Sequence, residues 1–345
     1  MSEEREFLSK RGLMIIGIVS LIILLVGIIL YYSGLNEEFY SESGQTFFKI
    51  VTYLGEPIVF LVIILILYLS YNKTVAKNLL LSLLISYYIN QWVKDIFQDE
   101  RPDTNIDLSE DYNLIETSYG FPSGHTQNAT AFWGYLGYRF KDNYTLKQVP
   151  IIPVVISCLI FLVAISRIVI GVHDLQDIIG GLLIGIGVLL AFIYLEPICS
   201  KQFNRLNVVT KIILVIIIAI CVFLVPTLLF PEAGFGAVAY VTPQPSPLPP
   251  PYADGGAFGL VGGVILGFGV GYALEQEYVK YDSSSLTNKK KLMNILLGLV
   301  ISLIIFIPLE YLLEINSTFY RFFRYALLAF IISYIIPLIC VKINK

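Results

Sequence analysis

Apolar residues along this chain are gathered into runs of membrane-spanning length. Runs able to cross about 30 Å of hydrocarbon as helix lie at roughly 12–33, 52–71, 79–97, 124–139, 149–170, 174–199, 209–230, 256–274, 292–313 and 319–341. The pattern predicts an all-α integral membrane protein with about ten transmembrane helices. The fourth run, TQNATAFWGYLGYRF, is short and carries several polar side chains, so nine or eleven spans also fit. Between the seventh and eighth runs, VTPQPSPLPPPYADGG is rich in proline, which predicts an extended spacer without helix or sheet.

Composition supports a membrane protein. Hydrophobic residues make up 56% of the chain and charged residues 14%, and the mean hydropathy is +0.75. Lipid or buried protein is therefore the solvent for most of the polypeptide, and an ordinary soluble domain is excluded. The net charge of −3 is small and dispersed, which argues against a nucleic-acid partner and leaves the membrane, its lipids and other membrane proteins. Cys158, Cys199, Cys221 and Cys340 all fall in apolar segments without paired spacing, so they read as small buried hydrophobes. Arg5, Lys10 and Arg11 precede the first run with no small-residue cleavage site after it, the pattern of a retained anchor.

Charge also predicts direction, because lysine and arginine prefer the cytoplasmic side. With both termini cytoplasmic, all but six of the 23 lysines and arginines fall on that side. The exceptions are Lys49, Lys94, Arg101, Arg167, Arg321 and Arg324, and three of them lie near the chain's two histidines, His125 and His173. Positive charge on the outer side, close to lipid, calls for a functional reason. The chain also divides. Residues 1–208 hold six spans and everything of chemical character; residues 209–345 form a four-helix membrane unit with the proline-rich outer loop at 231–255.

Three stretches meet on the outer side in this topology: KDIFQDERP with Lys94, Arg101 and Pro102; PSGHT from Pro122 to Thr126; and SRIVIGVHDLQD with Ser166, Arg167, His173 and Asp177. Two arginines and a lysine suit a phosphate, whose oxygens match a guanidinium fork two at a time. Ser123 and Gly124 at a helix start add hydroxyl and N–H donors where the helix dipole favours an anion. His173 and Asp177, four apart, are expected to share a helix face, so that the carboxylate takes the proton of one ring nitrogen and leaves the other as a lone pair. Such an imidazole can attack phosphorus while a second one, His125, protonates the departing oxygen.

Together the three stretches read KxxxxxxRP, PSGH and SRxxxxxHxxxD, and over roughly residues 50 to 200 the chain resembles the type 2 phosphatidic acid phosphatase superfamily, with every motif position filled. The resemblance implies a six-helix phosphatase core, here followed by four extra C-terminal helices, working without a metal or other cofactor. It implies His173 as nucleophile forming a phosphohistidine, Asp177 orienting it, His125 as general acid, and Lys94, Arg101, Ser123, Gly124 and Arg167 as phosphate ligands. The substrate class it implies is a lipid phosphate or diphosphate, such as a polyprenyl diphosphate, phosphatidic acid, phosphatidylglycerol phosphate or a sphingoid base phosphate. The site would lie on the extracytoplasmic face of a cell membrane. Transfer of the phosphoryl group to another lipid, or a membrane carrier, are the competing functions.

Other features leave alternatives open. The acidic residues Asp99, Glu100, Asp103, Asp107, Glu110, Asp111 and Glu116 make a solvated outer face, a filter against soluble phosphates or a weak cation site. Gly255, Gly259, Gly263, Gly267 and Gly271 recur every four residues, a stripe suited to close packing within the chain, to a homodimer contact or to a lipid groove. Glu56 and Glu310, each near a proline in outer apolar sequence, are expected to hydrogen-bond between helices or to line a headgroup pocket.

Overall fold

The computed structural model describes residues 42–99, 101, 118–146, 149–229, 256–311 and 318–344. The run at 12–33, the loop 231–255, Pro102, Gly255 and the acidic stretch beyond Asp99 lie outside these residues, as does the side chain of Glu310. All the other predicted spans are helical. They are α1 (Glu42–Tyr53) and α2 (Pro57–Ser70), α3 (Lys73–Phe97), α4 (Gly124–Arg139), α5 (Ile151–Val169), α6 (Leu175–Asn204), α7 (Val208–Leu229), α8 (Gly256–Leu274), α9 (Asn288–Tyr311), α10 (Thr318–Phe330) and α11 (Ile336–Asn344). Single π-helical turns continue α8 through Glu275–Val279 and join α10 to α11 through Ile331–Ile335. A hairpin of two-residue strands, Thr145–Leu146 with Val149–Pro150, links α4 to α5.

Among the described residues six helices are long and apolar enough to cross a membrane, namely Ile151–Val169, Leu175–Asn204, Val208–Leu229, Ala257–Val279, Asn288–Leu309 and Thr318–Asn344. The pair α1–α2 makes a seventh such segment, bent by 51° at its break. The bend follows from local chemistry: Pro57 opens α2 at a position where its missing N–H costs nothing, and Glu56 before it is extended.

The third and fourth spans fall short of that apolar standard because they are built for each other. On α3 a polar residue recurs every fourth position, Asn78, Ser82, Ser86, Asn90 and Lys94, and all five are buried. They face α4, itself enclosed by α3, α5 and α6. The Ser82 hydroxyl donates to the Ala131 carbonyl (3.2 Å), Ser86 to Asn128 Oδ1 (2.8 Å), Asn90 Nδ2 to Gln127 Oε1 (2.9 Å), and Gln127 Nε2 to the Ser86 carbonyl (2.7 Å). Lower down, Asn78 Nδ2 donates to the Tyr135 hydroxyl (2.8 Å). The polarity that makes the fourth run look marginal is thus satisfied inside the protein, where an unpaired group would be costly.

Glycines set two close helix crossings. A Cβ at Gly181 would lie 2.8 Å from the Ser123 carbonyl, and one at Gly185 would lie 2.9 Å from that of Gln127, so α6 can approach the start of α4 only without side chains there. The stripe on α8 works in the same way against α10. A Cβ would come within 2.5 Å of the Thr318 carbonyl at Gly259, 2.2 Å of the Phe322 carbonyl at Gly263 and 1.9 Å of the Ala326 carbonyl at Gly267, and at Gly271 it would meet the Ser333 hydroxyl at 2.0 Å. Of the alternatives for the stripe Gly255, Gly259, Gly263, Gly267 and Gly271, packing within the chain is the one seen, and the homodimer contact is not supported: the four described glycines are covered by the chain's own tenth span. Gly267→Leu is accordingly expected to destabilise the fold by roughly 3 kcal/mol through overpacking, read as a lower melting temperature of the detergent-solubilised protein.

The C-terminal helices are fastened to the rest by buried polar contacts. The Tyr68 hydroxyl donates to the Ser333 carbonyl (3.0 Å). Lys73 Nζ pairs with the fully buried Glu275 carboxylate at 2.9 Å, and the same carboxylate accepts the Tyr281 N–H at 2.6 Å. Removing one partner of such a pair leaves a buried charge uncompensated. Lys73→Ala is therefore expected to loosen the C-terminal helices and to expose them to limited proteolysis before the remainder.

Candidate active site

The candidate residues converge at one end of the helix bundle, where α3 and α5 end and α4 and α6 begin. Gly171, at φ 73°, ends α5 by taking the left-handed conformation that glycine adopts without steric cost. Its N–H returns to the Ile168 carbonyl, and the Val172 N–H to that of Arg167. His173 follows, then Asp174 as the N-cap of α6. His173 thus stands before the helix and does not share a helix face with Asp177 as the four-residue spacing suggests. The two meet because Asp177, in the first turn of α6, folds back. Its Oδ2 accepts from His173 Nδ1 at 2.9 Å and from the Asp174 N–H at 3.1 Å. Both side chains are buried, and Asp177 Oδ1 is buried with no hydrogen-bond partner among the described residues.

Since Nδ1 carries the proton shared with Asp177, Nε2 of His173 is the lone-pair nitrogen. It faces Arg101, whose Nη1 lies 3.3 Å away. The rest of that guanidinium is anchored to backbone: Nε donates to the Ser118 carbonyl (2.7 Å) and Nη1 to the Val172 carbonyl (2.9 Å). Lys94, buried in the last turn of α3, donates to the carbonyls of Tyr119 and Gly120. The two cations therefore clamp residues 118–120 against the start of α6. Burial, followed by the charges of Arg101, Arg167, Lys94 and His125, holds His173 well below the usual imidazole range. That ordering places every predicted cation and the second histidine within electrostatic reach of one ring.

Ser123 is the N-cap of α4, fully buried. Its N–H donates to the Asp177 carbonyl at 3.0 Å, which ties the PSGH turn to α6 directly. Its hydroxyl accepts from the Thr126 hydroxyl at 3.1 Å. Gly124 opens α4, and its N–H belongs to the first turn, which has no intrahelical acceptor. A Cβ at Gly124 would meet Asn90 Oδ1 at 3.2 Å. Arg167, fully buried in the last turn of α5, donates to the Thr52 hydroxyl at 2.9 Å.

Two further residues belong to this neighbourhood. Asn90 donates to the Pro122 carbonyl (3.2 Å) and thereby props the PSGH turn. The four-residue polar stripe along α3 is the signal that points to it. Glu56 does bond between helices, as expected, and its partner is His125, with Oε1 2.9 Å from Nε2.

Known proteins share parts of this sequence. The model of the PAP2 superfamily matches residues 75–201, and that of the PAP2 superfamily phosphatase transmembrane extension matches residues 260–345. Phosphatidylglycerophosphatase B of Bacillus subtilis (strain 168) is 32% identical over 73 residues, which is 21% of this chain and 36% of that protein. Lipid phosphate phosphatase delta of Arabidopsis thaliana is 28% identical over 131 residues, 36% of this chain and 32% of that protein. The chain thus spans about a third of the length of these relatives. No solved structure matches it significantly.

Proposed function

Because the chain belongs to the PAP2 superfamily, we propose that it is a metal-independent phosphatase of lipid phosphates or diphosphates, with His173 as nucleophile. The observation that carries this reading is the orientation of one buried imidazole, with Asp177 on Nδ1 and Arg101 beside Nε2. Arg101, Arg167, Lys94, the Ser123 hydroxyl and the Gly124 N–H would take the phosphate oxygens, and the guanidinium would exchange its contact with Nε2 for those oxygens. The Nε2 lone pair then forms a bond to phosphorus as the bond to the leaving oxygen breaks. That oxygen keeps the electron pair and receives the proton of His125. In the second half, neutral His125 takes a proton from water, the resulting hydroxide attacks phosphorus, and the P–N bond breaks with its electrons returning to His173.

An apolar bundle around the cradle favours an amphiphile over a freely soluble ester. Phosphatidylglycerol phosphate, which the name of the Bacillus relative suggests, stands beside phosphatidic acid and polyprenyl diphosphates as a candidate. The charge distribution supports a cell-membrane protein with both termini in the cytoplasm and the site outside. Residues 1–208 would form the catalytic unit and residues 209–345 a membrane unit attached to it. The purified protein should release inorganic phosphate from these lipids in EDTA and be inhibited by vanadate. Lipid movement across liposomes without phosphate release would instead identify a carrier, and equal hydrolysis of a water-soluble ester would remove the amphiphile argument.

The low proton affinity of His173 has a consequence for pH. Protonation of His173 should therefore contribute no loss of phosphoenzyme formation in a single turnover as pH falls through about 6.5, where an ordinary imidazole becomes half protonated. Stability should move the other way. Below that pH the unfolded chain binds a proton that the folded His173 refuses, so the contribution of this residue to stability falls as pH is lowered.

A further inference from the structure

The elbow between α1 and α2, residues 52–57, lies outside the segment matched by the PAP2 superfamily model, yet it rests on the site at four points. The Thr52 hydroxyl accepts from Arg167 Nη1 at 2.9 Å. The Leu54 carbonyl accepts from Trp133 Nε1 on α4 at 2.9 Å. Gly55 touches the His125 ring so closely that a Cβ there would lie 3.0 Å from His125 Cδ2 and 2.9 Å from Val163 Cγ1. Glu56 then brings Oε1 to 2.9 Å from His125 Nε2.

Glu56 occupies the N-cap of α2, but its side chain makes no capping hydrogen bond to that helix. The carboxylate is turned to the histidine instead, at the positive end of the α2 dipole. Both side chains are partly exposed, at 31% for Glu56 and 14% for His125, so the pair is open enough to exchange protons and buried enough to interact. Among the described residues, the charged and titratable groups around the pocket include Glu56 from the elbow, Lys94 from α3, Arg101 beyond it, Arg167 from α5, His173 from the α5–α6 turn and Asp177 from α6, with Asp99 near Asp177. Among them Lys94, Arg101 and Arg167 are fixed cations, and Glu56 is the carboxylate in direct contact with His125.

We propose that Glu56 is a positioning residue for the proton donor: it holds the His125 ring through Nε2 and keeps it protonated against the surrounding cations, leaving Nδ1 to deliver the proton to the leaving oxygen. This inference rests on the phosphatase reading above and assigns one more residue to that reaction. It explains why an element beyond the matched segment is built into the site by four contacts. It also makes the elbow, bent where lipid-embedded helix begins, part of the chemistry.

The test compares the purified full-length protein with Glu56→Gln, which keeps the shape and loses the charge, and Glu56→Asp, which keeps the charge on a shorter arm. Rates are measured against pH on long-chain phosphatidic acid and on the phosphate monoester of a nitrophenol carrying a long alkyl chain, whose leaving oxygen needs little protonation. Glu56→Gln should lower kcat on phosphatidic acid by about 10- to 100-fold with little change in KM. It should move the alkaline limb of activity down by about one pH unit and affect the nitrophenyl ester far less. Glu56→Asp should recover part of the loss. An unmoved alkaline limb, or equal losses on both substrates in an active background, would overturn the proposal and leave Glu56 a structural contact. Absence of phosphate release by the wild-type protein would remove the phosphatase reading and this inference with it, a failure visible before any variant is made.

Discussion

Alanine at position 173 is expected to lower phosphate release by about 10,000-fold or more, with no phosphoenzyme trapped on acid quench from radiolabelled substrate. The size of the effect follows from geometry. Nε2 of His173 is a lone-pair nitrogen because Asp177 occupies Nδ1, and it stands beside Arg101. Its neutral state is enforced by burial and by the cations around it. His125, whose Nε2 is engaged by Glu56, is not placed to substitute. The variant should also lose about 1–3 kcal/mol of stability, since Asp177 Oδ2 keeps its buried position without the imidazole. Asp177→Asn separates the two effects: it keeps the nucleophile and should still form phosphoenzyme, slowly. Wild-type turnover by His173→Ala would place the nucleophile elsewhere.

Arg101→Ala should cost about 100- to 1,000-fold in kcat, and Arg101→Lys should recover little of it. One guanidinium here serves two purposes at once. Its Nε and Nη1 are anchored by the Ser118 and Val172 carbonyls, which fixes the plane of the fork, and Nη1 is held beside the His173 nitrogen. An ammonium carries the charge but cannot hold both anchors while presenting a planar pair of donors. Steady-state kinetics on a lipid phosphate would check this, and a lysine variant with wild-type kcat would show that charge alone suffices at this position.

Lys94 and Arg167 were legible as helix-end charges because local sequence carries them. Lys94 must lie in the last turn of an apolar helix, and Arg167 must lie at the end of another, since a charge deeper in lipid would be too costly. The meeting of His173 with Asp177 was legible in outcome but not in form, for it depends on the Gly171 turn and on Asp177 folding back to the helix start. Asn90 was hidden because a polar stripe in a transmembrane run has no partner until α4 lies against it. Glu56 was legible as a residue that bonds between helices, but its partner was not, because His125 is 69 positions away on another helix.

Amino-acid order alone established where helices run and which chemical groups stand near their ends, because hydrocarbon thickness sets run length and desolvation restricts where charge is tolerated. It could not assign faces. A helix that is apolar nearly all round, such as α8, carries no amphipathic signal to choose its neighbour, so only packing showed the glycine stripe covered by α10 rather than by a second chain. Only packing, too, brought the α1–α2 elbow onto His125. A hydrogen bond requires its atoms within about 3 Å, and no spacing along a chain encodes that proximity between segments far apart in sequence.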